Sequence, residues 1–408
     1  MWTSRRRSRV AEIRPFCGLR YRPGAVVLDD VLAPPWDVVS VEQQKALASR
    51  SPYNVTHLEA QDVVPEEAAR RCAEWVRWGV LEEEPAEACY LLRHRFSLNG
   101  REEERVGFFA LLKLEPFEDG RVIPHERVFE KFRDNRQRLI SATGACFSPV
   151  FFVCRDEEDV IGKAASRAEE VFSAYLDGER LDLGRIADPS SISALRALCR
   201  SRPLIIADGH HRYQASLNAA RDGTGDPWCL AYVANLLSPS LKILPTHRFV
   251  PGAARVPDVV ARLEEMFEVR RYSNRGQFLG EVLGRGTHIF GVRSREGMWR
   301  LRLRSEQAVV DRAGDIHPAV KRLDTTILHN VILREYFGIE DQTFVFGQDP
   351  IELMRKNDEA GSGAVFFLNP VTVEQFCEVT LSGEVMPQKS TYFFPKVPSG
   401  LVFYRFRR

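Results

Sequence analysis

The densest group of reactive side chains in this chain follows an apolar run and opens a helical pattern. The stretch LIIADGHHRYQASL places four such residues and one glycine at the turn from strand to helix: Asp208, Gly209, His210, His211 and Arg212. The first N–H groups of a helix lack partners within it, and the helix dipole favours an anion there. Gly209 allows close approach of the backbone, and Arg212 is suited to bind phosphate through two hydrogen bonds. The pattern therefore predicts a phosphate-binding turn; the alternative is a capped helix with surface histidines.

Asp208 and the two histidines also raise the question of a metal site. We expect Asp208 to cap the helix, to hold a histidine or to bind Mg²⁺. Adjacent residues diverge by about 100° around a helix, so His210 and His211 cannot easily bind one ion. The four-residue spacing of helical metal-binding histidines is also absent here. We therefore expect no metal site made of protein ligands alone, and Mg²⁺ only through Asp208.

The segment VIPHERV, residues 122–128, provides a carboxylate for acid–base chemistry. Pro124 suits the first turn of a helix, so we expect Glu126 to lie in that turn. A general base requires a carboxylate fixed beside a bound substrate, and Glu126, next to His125, is the candidate. The alternative is an acid that only stabilises the helix dipole.

Two later segments carry polar residues that suit a ligand. Six candidates for substrate binding come from ILPTHRF and MPQKSTYFFPK: Thr246, His247, Arg248, Lys389, Ser390 and Thr391. A structural C-terminal segment does not need the polar group at 389–391, whereas a loop that reaches back over a ligand would use it. APPWDVVS and SPYNVTHLE add Asp37, Asn54 and His57, which either line a site or act as turn and cap residues.

The elements that must position these residues alternate between helical and strand patterns along the whole chain. VEQQKALASR predicts a helix over 41–50 with Ser40 as its N-cap, and a second helix is expected over 65–81, ending near Gly79. ACYLLRHRF and VGFFALLKLE predict two strands joined by the turn SLNGREEE. EEDVIGKAASRAEEVFSAYL predicts another helix. The alternation predicts an α/β or mixed α+β fold.

The composition is that of an ordinary globular protein. The 408 residues are 44% hydrophobic and 28% charged, which allows two or three domains with a sizeable core. The formal net charge of +1 argues against strong attraction to nucleic acid or to an anionic membrane. The longest apolar runs have the length of strands, so we expect no membrane span. Eight scattered cysteines without a CxxC pair predict reduced core thiols and a cytoplasmic protein.

Several motifs, taken together and in order, resemble a known family. APPWDVVS, SPYNVTHL, IPHE, IADGHHRY, LPTHR and MPQKSTYFFPK are similar to motifs of the prokaryotic domain-of-unknown-function 1015 (DUF1015) family, over essentially the whole chain. LIIADGHHRYQASL also resembles the nucleotide-binding turn of the ParB and sulfiredoxin superfamily. Within that superfamily, free serine kinases are similar in carrying P-H-E, then D-G-H-H-R, then a late P-K-T-T-like loop. In this chain the loop reads P-Q-K-S-T-Y, and the spacing between the first two motifs is longer.

The resemblance to free serine kinases implies roles for residues between about 118 and 408. It implies that Glu126 takes the proton from a serine hydroxyl and that the 208–212 turn binds nucleotide phosphates. The late loop would close the site over phosphate and serine. ATP or ADP with Mg²⁺ would be the phosphoryl donor. Free L-serine or a similar small alcohol would be the acceptor, giving O-phosphoserine.

The same resemblance implies a division of the chain into three segments. A ParB/sulfiredoxin-like nucleotide-binding core is expected over 116–250. It would follow an N-terminal extension, 1–115, and precede a C-terminal α/β domain, 251–408, whose last loop, 384–400, closes the site. The expected partners are a nucleotide and a serine-like molecule, with no membrane, and a homo-oligomer is compatible with the sequence.

Other functions could use the same residues. The site could hydrolyse phosphoserine or catalyse other nucleotide-dependent phosphoryl chemistry, although sulfiredoxin-type chemistry needs a cysteine where this chain has His210. A ParB-like switch on DNA would use the Arg-rich patches at 1–9 and 294–304. No clear helix-turn-helix accompanies them, so nucleic acid is not the expected partner. A metabolite sensor without catalysis is the remaining alternative.

Overall fold

A computed structural model describes five stretches of the chain: residues 11–127, 130–253, 255–312, 314–339 and 344–406, with the side chains of 130–134 outside the description. The Arg-rich patch at 1–9 also lies outside the described residues. The chain packs as two compact units. The first unit contains Met1–Pro124, Val128–Leu241 and Pro395–Arg408, and the second contains His125–Arg127 and Lys242–Phe394. The three segments expected from the sequence remain a prediction.

The first unit alternates short helices with the strands of a large sheet. Its strands are β1 Ile13–Arg14, β2 Leu19–Tyr21, β3 Leu81–Glu83, β4 Cys89–Leu98, β5 Arg101–Lys113, β6 Val122–Ile123, β7 Ala145–Cys146, β8 Val150–Cys154, β9 Glu169–Leu176, β10 Glu179–Ile186, β11 Leu204–Asp208 and β12 Trp228–Asn235, with a last strand at Tyr404–Arg405. Its helices are α1 Leu28–Val31, α2 Val41–Arg50, α3 Thr56–Glu59, α4 Pro65–Arg77, α5 Glu130–Thr143, α6 Val160–Ala165, α7 Pro189–Ser201 and α8 His210–Arg221, with a 3₁₀ turn at Phe117–Asp119.

The main sheet of this unit is mixed, and β11 lies one strand in from its β6 edge. The strand order is β6-β11-β8-β12-β5-β4-β10-β9, with β1 beside β5. β11 is parallel to β6 and antiparallel to β8, and β8 is parallel to β12. The run VFFVC of β8 is buried at every position, as expected for a strand covered on both faces. The polar residues that follow β11 are therefore carried by a rigid, buried strand.

The second unit is built on an antiparallel sheet. Its strands are β13 Lys242–Leu244, β14 His247–Val250, β15 Phe267–Tyr272, β16 Ile289–Ser294, β17 Gly297–Leu303, β18 Val345–Gly347, β19 Ala364–Phe367 and β20 Tyr392–Phe394. Its helices are α9 Val256–Leu263, α10 Arg275–Val282, α11 Glu306–Arg312, α12 Pro318–Lys321, α13 Asp324–Thr326, α14 Pro350–Ala360 and α15 Val373–Leu381; α13 continues as a π-helical segment, Ile327–Tyr336. The sheet order is β15-β17-β16-β19-β14-β18, and β13 pairs separately with β20. That separate pair anchors the end of the late loop.

Mixed α/β architecture is confirmed, and several local predictions are confirmed with it. Helix α2 spans the predicted residues, and Ser40 forms a full capping box with Gln43. The hairpin of β4 and β5 turns at Asn99 and Gly100, both with positive φ, so its turn is shorter than predicted. Within the described residues, no helix combines the length and apolarity that a membrane span would need.

The single helix predicted for residues 157–176 is wrong. Only α6 is helical there, and β9 follows it. The end of this stretch alternates in burial, with Ala174 and Leu176 buried between exposed neighbours. After a tight turn at Asp177 and Gly178, β10 pairs with β9 along its length. Pairing with a neighbouring strand outweighs the helical propensity of EEVFSAYL.

Candidate functional site

The turn between β11 and α8 is shaped by Gly209. Gly209 is the N-cap residue of α8, with φ of 88° and ψ of 31°, in the left-handed region. A Cβ atom at this position would lie 3.0 Å from both Cζ and Nε of Arg212. Both the backbone angle and the lack of space therefore require glycine. No side chain caps α8, so the prediction that Asp208 is its N-cap is wrong.

The carboxylate of Asp208 is instead shared by two cations. Its Oδ1 lies 2.6 Å from Nζ of Lys396, and its Oδ2 lies 2.5 Å from Nη2 of Arg212. Burial alone would raise the pKa of Asp208, but the charges of Lys396 and Arg212 outweigh it and hold the pKa well below its ordinary value. Asp208 is therefore ionised at neutral pH. The sequence reasoning did not single out Lys396, whose only signal was the Pro-Lys pair that ends MPQKSTYFFPK.

Arg212 is almost buried, with 6% of its surface exposed. Its Nη1 donates to the carbonyl of Pro149, just before β8, and its Nη2 lies 3.8 Å from Oδ2 of Asp37. These contacts fix the turn against the neighbouring strand. The predicted bidentate contact of Arg212 with phosphate remains a prediction.

The two histidines occupy the first turn of α8. His210 is buried, and its charge contributes to the lowered pKa of Asp208. His211 is half-buried. They are the first two residues of the helix, so they lie at the positive end of its dipole. Their contact with phosphate also remains a prediction.

The geometry of Asp208 does not fit the predicted Mg²⁺ ligand. Mg²⁺ is bound by oxygen atoms in an octahedral arrangement. Both oxygens of Asp208 are already bonded to protein cations, which would repel a metal ion. Among the residues that the structure describes, no group of three or more His, Cys, Asp or Glu residues could hold a metal ion.

The N-terminal segment contributes charged groups to the same region of the first unit. Arg136 of α5 donates to the backbone carbonyl of Glu59 at 2.6 Å and stacks on the ring of Trp36 at 3.9 Å. Glu59 is buried, and burial raises the pKa of its carboxyl against the opposing charge of Arg136. Glu59, Arg136 and Arg212 also line a mainly apolar cavity of about 30 Å³. The segment thus packs into the base of the turn.

Asn54 and His57 have structural contacts. Asn54 is completely buried, donates to two backbone carbonyls and accepts from Thr56. His57 Nε2 lies 3.1 and 3.2 Å from two further carbonyls. Of the three residues considered from APPWDVVS and SPYNVTHLE, only Asp37 approaches the 208–212 turn.

The P-H-E segment lies in the second unit and outside any helix. Helix α5 begins at Glu130, so the prediction of a helix beginning at Pro124 is wrong. The carbonyl of His125 accepts from the backbone N–H of Met386 at 2.8 Å. The ring Nε2 of His125 lies 2.7 Å from the hydroxyl of Thr391. These contacts with the late loop hold the segment as a bend outside any helix.

Glu126 is fixed and still accessible. Its Oε1 accepts a hydrogen bond from the backbone N–H of Lys389 at 3.1 Å, and its side chain is 20% exposed. Lys389 has φ of 56°, which is uncommon for a residue with a side chain and concentrates at functional sites. Lys389 itself is exposed. The loop thus positions the Glu126 carboxylate through its backbone.

Arg248 is completely buried and donates hydrogen bonds to the backbone of the late loop. Its Nη2 donates to the carbonyl of Lys389 at 3.0 Å, and its Nη1 donates to the carbonyl of Thr246. Its Nε donates to Nε2 of His329 at 3.3 Å, so that nitrogen must be unprotonated. Burial lowers the pKa of Arg248 to about 9, with Glu126 acting in the opposite direction. In this arrangement the donors of Arg248 bind protein groups.

His329 belongs to the π-helical segment, a rare conformation that is frequent at functional sites. Burial and the charge of Arg248 lower the pKa of His329 to about 4. One turn earlier, the hydroxyl of Thr325 lies 2.9 Å from that of Ser390. Ser390 also donates to the carbonyl of Pro387 at 2.6 Å. The sequence predicts a helix at DTTILHNVILREYFGI, but nothing in that stretch indicates its contact with the late loop.

The structure therefore brings most of the predicted substrate residues together within the second unit. One connected network contains His125, Glu126, Thr246, Arg248, Lys389, Ser390 and Thr391. His247 lies apart from it, buried against Phe367, with Nδ1 accepting from the backbone N–H of Leu368 at 3.2 Å. The 208–212 residues form their own cluster in the first unit.

Comparison with known proteins gives one family match and several distant structures. The family model described as protein of unknown function (DUF1015) matches residues 13–326. No curated protein matches the chain.

Among solved structures, a conserved hypothetical protein from Pyrococcus furiosus is 14% identical, covers 69% of this chain and 90% of its own, and has a TM-score of 0.35. A free serine kinase in complex with AMP is 15% identical, covers 67% and 84%, and has a TM-score of 0.35. SbnI with a C-terminal truncation, from Staphylococcus aureus, is 10% identical, covers 72% and 86%, and has a TM-score of 0.36. Likeness this weak does not indicate what the present chain binds.

Proposed function

The chain belongs to the DUF1015 family, and we propose that it transfers a phosphoryl group from ATP or ADP to the hydroxyl of free L-serine or a similar small alcohol. The order of the P-H-E, D-G-H-H-R and late-loop motifs, which resembles that of free serine kinases, suggested this reaction. The contacts of the residues within those motifs support it.

The observation that carries the proposal is the setting of Glu126. Its carboxylate is held by the Lys389 N–H at 3.1 Å, yet one-fifth of its side chain is exposed. A general base must be fixed in position and reachable by a substrate hydroxyl. A dipole-stabilising acid would lie in the first turn of a helix, and Glu126 does not. The dipole alternative is therefore disfavoured.

The phosphate-binding part of the proposal rests on the 208–212 turn. Three features of the turn suit an anion: the positive end of α8, a left-handed backbone that favours glycine, and two cations on one carboxylate. The proposal gives this turn the nucleotide phosphates. In the same proposal, the residues around Glu126 bind the acceptor alcohol.

The reaction needs little covalent chemistry from the protein. The oxygen of the alcohol forms a bond to the terminal phosphorus of the donor, and the bond from that phosphorus to the bridging oxygen breaks. The proton of the alcohol passes to Glu126, and the nucleotide leaves with one phosphate fewer. Positioning and charge stabilisation account for most catalysis in such transfers. Mg²⁺ would accompany the donor; because Asp208 does not fit it, no step is assigned to it here.

The test is the formation of O-phosphoserine from serine and either ATP or ADP, measured by mass spectrometry. Glu126→Gln should lower kcat by about 100-fold or more, because general base catalysis contributes about 10²- to 10⁴-fold. Glu352→Gln is the matched control: Glu352 is an exposed acid on α14 of the same unit, and its variant should keep full activity.

Three results would change the conclusion. Full activity of Glu126→Gln would remove Glu126 as the base. No product from the wild type with serine, threonine or homoserine and either nucleotide would refute the kinase proposal. Release of inorganic phosphate from O-phosphoserine without a nucleotide would favour hydrolysis instead.

A further inference from the structure

A second lysine of the C-terminal segment is built into the first unit. Lys396 follows Pro395, whose carbonyl accepts a hydrogen bond from Nη1 of Arg105 at 2.5 Å. Arg105 is completely buried and lies over the rings of Phe151 and Tyr232, at 4.8 and 5.5 Å from their centroids. The backbone just before Lys396 is therefore held by a rigid group inside the sheet.

The ammonium of Lys396 is also held in a defined position. Its Nζ lies 2.6 Å from Oδ1 of Asp208, and its side chain is 10% exposed. Lys396 is thus fixed at two points, by its backbone and by its charge. The remaining exposure means that a solute can still approach it.

A purely structural ion pair is a poor reason for a lysine at this position. Removing two charges from water costs about as much as their attraction returns, so a buried pair contributes little net stability. Asp208 already has a cation in Arg212, at 2.5 Å. Arg212 is shared with Asp37 at 3.8 Å, and Lys396 is the second cation on Asp208.

A further observation at the turn indicates a ligand. The Nε–H of Arg212 is buried and makes no hydrogen bond with any residue in the described part of the chain. It lies 3.0 Å from the point where a Cβ of residue 209 would be, so it lies directly beside Gly209 at the start of α8. An unpartnered buried donor costs free energy unless something accepts from it. A phosphate oxygen or its bound water would satisfy it.

We propose that Lys396 binds a phosphate of the nucleoside di- or triphosphate at the 208–212 turn, and that Asp208 holds its ammonium in position for that ligand. This inference rests on the proposed function and adds a residue to it. A lysine serves phosphate as a flexible point charge with three N–H donors, so it can bond a carboxylate and a phosphate oxygen together. The contact is with the phosphates alone, so it should distinguish ADP from adenosine.

The experiment measures binding of ADP and of adenosine by isothermal titration calorimetry. Lys396→Met should weaken ADP binding by about 10- to 100-fold and leave adenosine binding unchanged, whereas Lys396→Arg should retain most ADP affinity. Lys113→Met is the matched control. Lys113 belongs to the same unit and pairs with Glu12 at 3.4 Å on the surface, so its variant should bind ADP normally.

Loss of the lysine could also disturb the fold by leaving Asp208 without its partner. The comparison is therefore repeated in an Asp208→Asn background, where removal of the lysine leaves no carboxylate without its cation. If Lys396 binds phosphate, Asp208→Asn/Lys396→Met should still bind ADP at least 10-fold more weakly than Asp208→Asn. If Lys396 only supports Asp208, the two should bind ADP equally, and that result would overturn the inference.

The outcomes separate this inference from the proposed function. A wild type that binds ADP, with folded Lys396→Met binding it equally well, refutes the role of Lys396 and leaves the kinase proposal standing. If the wild type binds neither ADP nor ATP, both the kinase proposal and the role of Lys396 are refuted.

Discussion

Replacing Gly209 by alanine tests whether the turn is built as described. The residue has φ of 88°, and its Cβ would meet the guanidinium of Arg212 at 3.0 Å. Arg212 cannot move easily, since it is bonded to the Pro149 carbonyl and to Asp208. The substitution therefore combines an unfavourable backbone with a collision against a fixed group.

The magnitude follows from these two contributions. The left-handed conformation costs a residue with a side chain about 1–2 kcal/mol. Overpacking against a fixed neighbour costs about 1–3 kcal/mol more. We expect Gly209→Ala to lower the free energy of unfolding by about 2–5 kcal/mol in total. Displacement of Arg212 should also weaken ADP binding.

Gly178 provides a matched control in the same unit. Its φ of 85° is nearly the same, but nothing lies within 4 Å of its Cβ position. Gly178→Ala should therefore cost only the backbone contribution, about 1–2 kcal/mol. Urea unfolding of both variants and the wild type, followed by fluorescence, gives the difference. Equal destabilisation by the two substitutions would refute the description of Arg212 as a fixed group behind the turn.

Three further predictions concern separate features. Because the pKa of Asp208 is lowered in the folded protein, its stabilisation is complete above the ordinary aspartate pKa of about 3.9 and is lost as the pH falls towards the folded value; Asp208→Asn should therefore flatten the fall in Tm measured between pH 6 and pH 3. Ser40→Ala removes the capping box of α2 and should cost about 1 kcal/mol in urea unfolding, whereas no change would show that the cap is not formed in solution. Arg248→Lys cannot bond Thr246, His329 and the loop carbonyls together, so kcat should fall at least 10-fold with little change in nucleotide KM; an effect on KM alone would contradict a positioning role.

Features that depend on neighbours along the chain were predictable from the sequence. The helix at 41–50 and its Ser40 cap follow from local periodicity and a short capping motif. The strand, glycine turn and helix at 204–221 follow from an apolar run, a glycine and the helical pattern after it. These patterns also showed that the fold is mixed α/β.

Features that depend on distant partners were predicted wrongly or missed. The stretch at 169–176 has helical composition but forms a strand because β10 lies beside it. The segment directly after Pro124 forms a bend instead of a helix because the late loop bonds to His125. Asp208 does not cap its helix because Lys396 and Arg212 occupy its carboxylate.

The sequence by itself determined which residue types are available for phosphate and proton chemistry, and that each lies beside a turn. Only the tertiary structure decided their partners. Lys389 lies 263 residues from Glu126, and Lys396 lies 188 residues from Asp208. No local periodicity encodes such pairs, because they depend on where the C-terminal segment returns and on which backbone groups it presents there. Sheet pairing, through β13 with β20, and the buried arginines Arg105 and Arg248 set that return path.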